Sequence, residues 1–114
     1  MNLFTLFKYM NLQGGSDSPT PPAPSGYVTV ASSRDNVRGS YYLQSGNATD
    51  TTSVWYCSAT GDGNTATILY ENGSWILRTP TDTYTLDSSA GTNPTTWSGV
   101  SLIEIFGFVT FVEA

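Results

Sequence analysis

The chain contains no histidine, and that absence removes more chemistry than any residue present supplies. Ser-His and Cys-His nucleophile arrangements need an imidazole base, and imidazole is also the commonest metal-binding side chain. Cysteine is nearly missing as well, with Cys57 standing alone in "VWYCSA". An internal disulfide is impossible, so nothing points to an oxidising compartment. A lone thiol within an apolar run reads as a small buried hydrophobe. Charge is scarce too, at 11% of 114 residues against roughly 25% in an ordinary soluble domain. Four basic residues face nine acidic ones, for a net charge of -5. Lys8, Arg34, Arg38 and Arg78 gather no further than the Arg34/Arg38 pair, whereas nucleic-acid affinity rests on massed Lys and Arg. Direct nucleic-acid binding is not expected.

Long apolar runs are also lacking. In "MNLFTLFKYMNLQGG" the apolar stretch is short, Lys8 lies inside it, and no small-residue cleavage site follows. Neither a signal peptide nor a transmembrane helix is expected, and no membrane association. Nine acids leave a carboxylate pair as the one acid–base device to consider, but none falls in a recognisable motif. The expectation is a non-enzymatic chain with no catalytic residue, no cofactor and no metal. "GDGN" at 61–64, with Asp50, has part of an oxygen-ligand calcium loop, yet the full spacing and the closing bidentate acid are absent. A plain turn is the preferred reading. "NAT" at 47–49 and "NGS" at 72–74 match the glycosylation acceptor pattern, although Asn72 already has a turn to form.

What is present divides the chain into three segments. In residues 1–13, Leu3, Leu6, Phe7 and Met10 fall at helical spacing and Phe4 widens the stripe. A helix this short needs a surface to lie on, either its own domain or something else. Residues 14–26, "GGSDSPTPPAPSG", form an extended spacer, reaching about 3 Å per residue where it is polyproline-like. So long a lead favours an anchor on a separate body. From Tyr27 to Ala114 the pattern changes to short runs rich in Val, Ile, Thr, Tyr and Trp. Candidate strands are 27–30, 40–44, 53–58, 66–70, 74–79 and 82–86, separated by Gly, Asn, Asp and Ser. The fold class expected is all-β: a small antiparallel β-sandwich or barrel-like domain.

Within it, "ILYENGSWIL" is the best-defined element. Asn72-Gly73 suits a two-residue type I′ turn. Glu71 then faces Ser74, Tyr70 faces Trp75, Leu69 faces Ile76 and Ile68 faces Leu77. Alternation puts Ile68, Tyr70, Trp75 and Leu77 on one face and Leu69 with Ile76 on the other, so cover is expected on both sides. Trp55, Trp75 and Trp97 read as core residues. The tail, 98–114, carries apolar residues on both faces of any strand, and an exposed strand of that kind aggregates. It is expected to lie either centrally in the domain or against another chain, with Gly107 marking a bend or bulge.

The string "VRGSYYLQSGN…VWYC…ILYENGSWILRT…DTYTLD…NPTTW" resembles a small β-domain of bacteriophage virion accessory proteins. The positions that carry the likeness are Gly39, Tyr41, Tyr42, Trp55, Tyr70, Asn72-Gly73, Trp75, Ile76, Tyr84, Pro94 and Trp97, across residues 27–97. The resemblance implies a capsid decoration, collar, tail or fibre component located in the virion, made in the host cytoplasm. Together with the apolar ends, it leads to the expectation of a capsid decoration or cement protein. Its partners would be other virion proteins, the major capsid protein first, in a homo-oligomer or symmetric array. The expected partner-binding residues are Leu3, Phe4, Leu6, Phe7 and Met10 at one end, and Phe106, Phe108 and Phe111 at the other. A glycan-binding module of a tail or fibre is the alternative, prompted by the wealth of Trp and Tyr. It requires exposed aromatic rings forming a platform.

Overall fold

A computed structural model of the protein describes residues 25–114. The apolar stripe of Leu3, Phe4, Leu6, Phe7 and Met10, with most of the spacer, lies outside the described residues. The described part is all-β. Eight antiparallel strands follow one another: β1 (Gly26–Ser32), β2 (Gly39–Ser45), β3 (Val54–Cys57), β4 (Ala66–Glu71), β5 (Ser74–Arg78), β6 (Thr83–Thr85), β7 (Val100–Ser101) and β8 (Gly107–Glu113). They form one sheet in the order β6-β5-β4-β3-β2-β1-β8-β7. The sheet curls until its edges meet at an isolated bridge, Leu86 to Leu102. Ile103 N–H donates to Thr85 O at 3.0 Å and Asp87 N–H to Ser101 O at 2.9 Å across the same seam. Each strand therefore lies beside its sequence neighbours, an up-and-down, barrel-like arrangement that leaves little free edge.

The β4–β5 hairpin has the register expected from its turn: Glu71 opposite Ser74, Tyr70 opposite Trp75, Leu69 opposite Ile76, Ile68 opposite Leu77. Asn72 and Gly73 both adopt positive φ, 54° and 82°, as a type I′ turn requires. Inward residues alternate along every strand and fill the curl with Val28, Tyr41, Trp55, Ile68, Trp75, Leu77 and Val109. All three tryptophans and Cys57 are buried in it. At one pole the indole N–H groups of Trp75 and Trp97 both donate to Gly91 O, at 3.1 and 3.0 Å. The two rings meet edge to face, centroids 5.0 Å apart, a favoured aromatic geometry. A short 3-10 turn, Pro94–Thr96, sets Trp97 in place. Its start carries a recognisable cap: Asn93 Oδ1 accepts from Thr95 N–H at 3.0 Å, with proline following it.

Two details differ from the sequence expectation. The tail is a hairpin rather than one strand, because residues 102–106 turn between β7 and β8, with Leu102 N–H donating to Gly107 O at 3.0 Å. Gly107 opens β8 where a Cβ would press on Ala31 O and the Ser32 side chain, both 2.9 Å away. β8 then pairs with β1 over seven residues, Gly26–Ser32 against Gly107–Glu113, so this segment is internal to the chain's own sheet. Among the described residues no second layer lies over Leu69 and Ile76 on the outer face. Arg78 and Glu71 flank that row in register and meet at 2.9 Å. Ile76 is buried while Arg78 remains exposed, which suits an arginine lying across apolar surface.

Candidate binding surfaces

Among the described residues no group of three or more His, Cys, Asp or Glu side chains comes together. Asp50 and Asp62 act in their own turns. Asp50 Oδ1 accepts from the hydroxyl and N–H of Thr52, and Asp62 Oδ1 accepts from Thr60 Oγ1 and from Asn64 N–H. The "GDGN" stretch is thus a turn closed by its own aspartate. Arg38 meets Asp35 at 2.7 Å within the β1–β2 loop. No helix among the described residues is long and apolar enough to cross a membrane.

Those two aspartates carry a pH consequence. Hydrogen bonds from Thr52 hold the Asp50 carboxyl below the usual carboxylate range, and those from Thr60 and Asn64 do the same for Asp62. A lowered folded-state pKa stabilises the fold above the unfolded carboxylate pKa, and that contribution disappears as pH falls through the folded value. Urea midpoints measured from neutral to acid pH should therefore decline below the ordinary carboxylate range. Asp50→Asn/Asp62→Asn, which retains an acceptor oxygen, should flatten the decline; an unchanged slope would assign it to other groups. Tyr41 is different in kind. Burial pushes its phenol upward, with Cys57 and Asp62 adding to the effect, and its hydroxyl donates to Val37 O at 2.7 Å. It is a structural hydrogen bond inside the curl.

Two outward-facing surfaces stand out. The first is the β7–β8 turn. Ile103 is 60% exposed, Phe106 83% and Phe108 43%. The Phe106 and Phe108 rings lie edge to face with centroids 6.0 Å apart. Ser32 Oγ donates to Phe106 O at 3.0 Å and ties the turn to β1. Phe111, grouped with these two by the sequence, faces the other way. Alternation along β8 turns it inward, half-buried and edge-on to Trp55 at 6.0 Å.

The second surface is a row of tyrosines on the outer face. Tyr27 pairs with Tyr42, and Tyr42 with Tyr56, on three adjacent strands. Tyr42 is the most open, 57% exposed, with its ring centroid 5.3 Å from that of Tyr27. Sequence reading counted these aromatics but did not align them, because the row depends on the register of two hairpins. One of those hairpins has a shift between Leu43 and Ser45. A third feature, a recess of about 240 Å³ beside Tyr70, Trp75 and Asp87, has its carboxylate occupied by Ser88, Ser89 and Ser101. Comparison with protein-family models, curated proteins and solved structures gave no match.

Proposed function

We propose that this chain is a non-enzymatic docking subunit of a larger assembly, a virion decoration or cement protein, seated on a neighbouring virion protein through its β7–β8 turn. The observation that carries the reading is the exposure of Ile103, Phe106 and Phe108 together on the β7–β8 turn and the start of β8. Large apolar side chains held out together are a mark of an interaction site. Removing one such side chain from water contributes about 1.5–3 kcal/mol, too little alone but enough when many copies repeat on a symmetric particle. The low charge count adds to this, since the cores of protein interfaces are depleted in charged residues. The likeness to phage virion accessory domains supplies the virion setting.

The test is incorporation. Phe106→Ser/Phe108→Ser should keep the far-UV spectrum and thermal transition of the parent, because both rings face solvent. Its amount in gradient-purified particles should fall about tenfold, the size of one lost hot spot of roughly 1.4 kcal/mol. Particles carrying the double variant at the parental level would overturn the docking role of this turn. Absence of the parent chain from purified particles would overturn the virion setting.

A further inference from the structure

We propose that the outer row Tyr27–Tyr42–Tyr56 is a binding site for a neutral, extended glycan chain. Four observations on this face converge. The register aligns the tyrosines across β1, β2 and β3, so their backbone positions step by one strand spacing, about 4.8 Å, and the Tyr27 and Tyr42 ring centroids lie 5.3 Å apart. That step is close to the length of one sugar unit in a linear chain, so the row offers a tyrosine for each of three successive sugars. The axial C–H groups of a sugar are weakly positive, whereas the face of an aromatic ring is negative.

Next, among the described residues these hydroxyls are left to a ligand. Buried Tyr41 donates to Val37 O, and Tyr84 Oη accepts from Asn36 Nδ2 at 3.1 Å. Among the described residues, the hydroxyls of Tyr27, Tyr42 and Tyr56 have no protein partner. The neighbouring outward row along the strands is hydroxyl-bearing as well: Thr110 opposite Thr29, and Thr29 opposite Ser40.

Last, the charge pattern selects the ligand. In a chain of net charge -5, the row runs Val112, Tyr27, Tyr42, Tyr56, Thr67 without a charged residue before Arg78. Arg78 is already paired with Glu71. An anionic polymer finds no cation there, and a cationic peptide finds no carboxylate. A polyhydroxylated neutral chain matches both the rings and the hydroxyls. Rigid tyrosines with serine and threonine around them are also the chemistry that recognition surfaces use when they supply contact area at little entropic cost.

The experiment titrates the full chain with cellohexaose and, separately, maltohexaose, following amide shifts and tyrosine fluorescence. One hexasaccharide should shift resonances of β1, β2 and β3. Tyr42→Ala should weaken that binding about tenfold, as for a single hot-spot truncation, while Tyr42→Phe keeps most of it because the ring remains. Phe106→Ser, on the other surface, should bind as the parent does. Failure of both sugars to shift these strands at millimolar concentration would overturn the proposal. So would binding that Tyr42→Ala leaves unchanged, or Tyr42→Ala altering self-association or particle incorporation with no response to either sugar, which would make the row a protein contact.

Discussion

Replacing Trp55 with alanine should remove about 3–5 kcal/mol of stability. The side chain is 1% exposed and stands at the centre of the inner face. It pairs across the sheet with Leu43 on one side and Ile68 on the other, and Phe111 reaches it edge-on from β8. Its indole N–H donates to Ser53 Oγ at 3.0 Å, and Ser53 Oγ in turn donates to Asp50 O at 2.9 Å. Truncation thus loses the filling of the curl and a link to the β2–β3 loop together. A domain of this size holds only about 5–15 kcal/mol in all, so a melting-point drop on the order of 20 °C is expected. Trp55→Phe should recover much of it. A loss below about 1 kcal/mol in urea unfolding would mean that the interior closes over the gap, against ordinary core behaviour.

Gly46→Ala is expected to be nearly as damaging, for a different reason. Gly46 has φ of 79°, and a Cβ there would lie 1.9 Å from Thr52 O and 2.4 Å from Thr52 C. Those are backbone atoms, held in a loop where Asn47 N–H donates to Thr52 Oγ1 at 3.0 Å and Asn47 Oδ1 accepts from Thr49 N–H at 3.0 Å. The loop must open for alanine to fit. Gly73 is the natural control, since its φ is 82° but nothing lies within 4 Å of an added Cβ. Gly73→Ala should cost only the conformational penalty, about 1–2 kcal/mol, and Gly46→Ala about 3 kcal/mol or more once overpacking is added. Equal unfolding midpoints for the two variants would show that the β2–β3 loop yields without resistance.

Hairpin chemistry was the most legible part of the sequence. Asn72-Gly73 dictates a turn type, the turn type dictates a register, and period-two alternation then puts Ile68, Trp75 and Leu77 on one face, which the structure turns inward. The candidate strands from Tyr27 to Leu86 were readable from β-branched and aromatic runs between glycines and polar breaks. Closure of the sheet was not. It depends on a single bridge between Leu86, which ends the alternating run "TYTL", and Leu102, which stands in a stretch with no alternation. The tail misled as one apolar strand because Leu102 and Ile105 are buried from within a turn, while Phe106 projects outward. Apolar content alone does not separate those two fates. Phe106 and Phe108 were singled out from the sequence, but the tyrosine row was not. A lone residue announces itself by its type, whereas an aligned set exists only once each ladder's offset is known.

The two ends of the β-body lie side by side: Ala114 N–H donates to Ser25 O at 3.1 Å. The Phe106 turn sits at the opposite end of β8, seven residues of extended chain away, or roughly 23 Å at strand rise. Chain joined at Ser25 and chain joined at Ala114 therefore meet the β-body at the same rim, a strand's length from Phe106. A guest sequence joined after Ala114 would start at that rim, about 23 Å from the Phe106 turn.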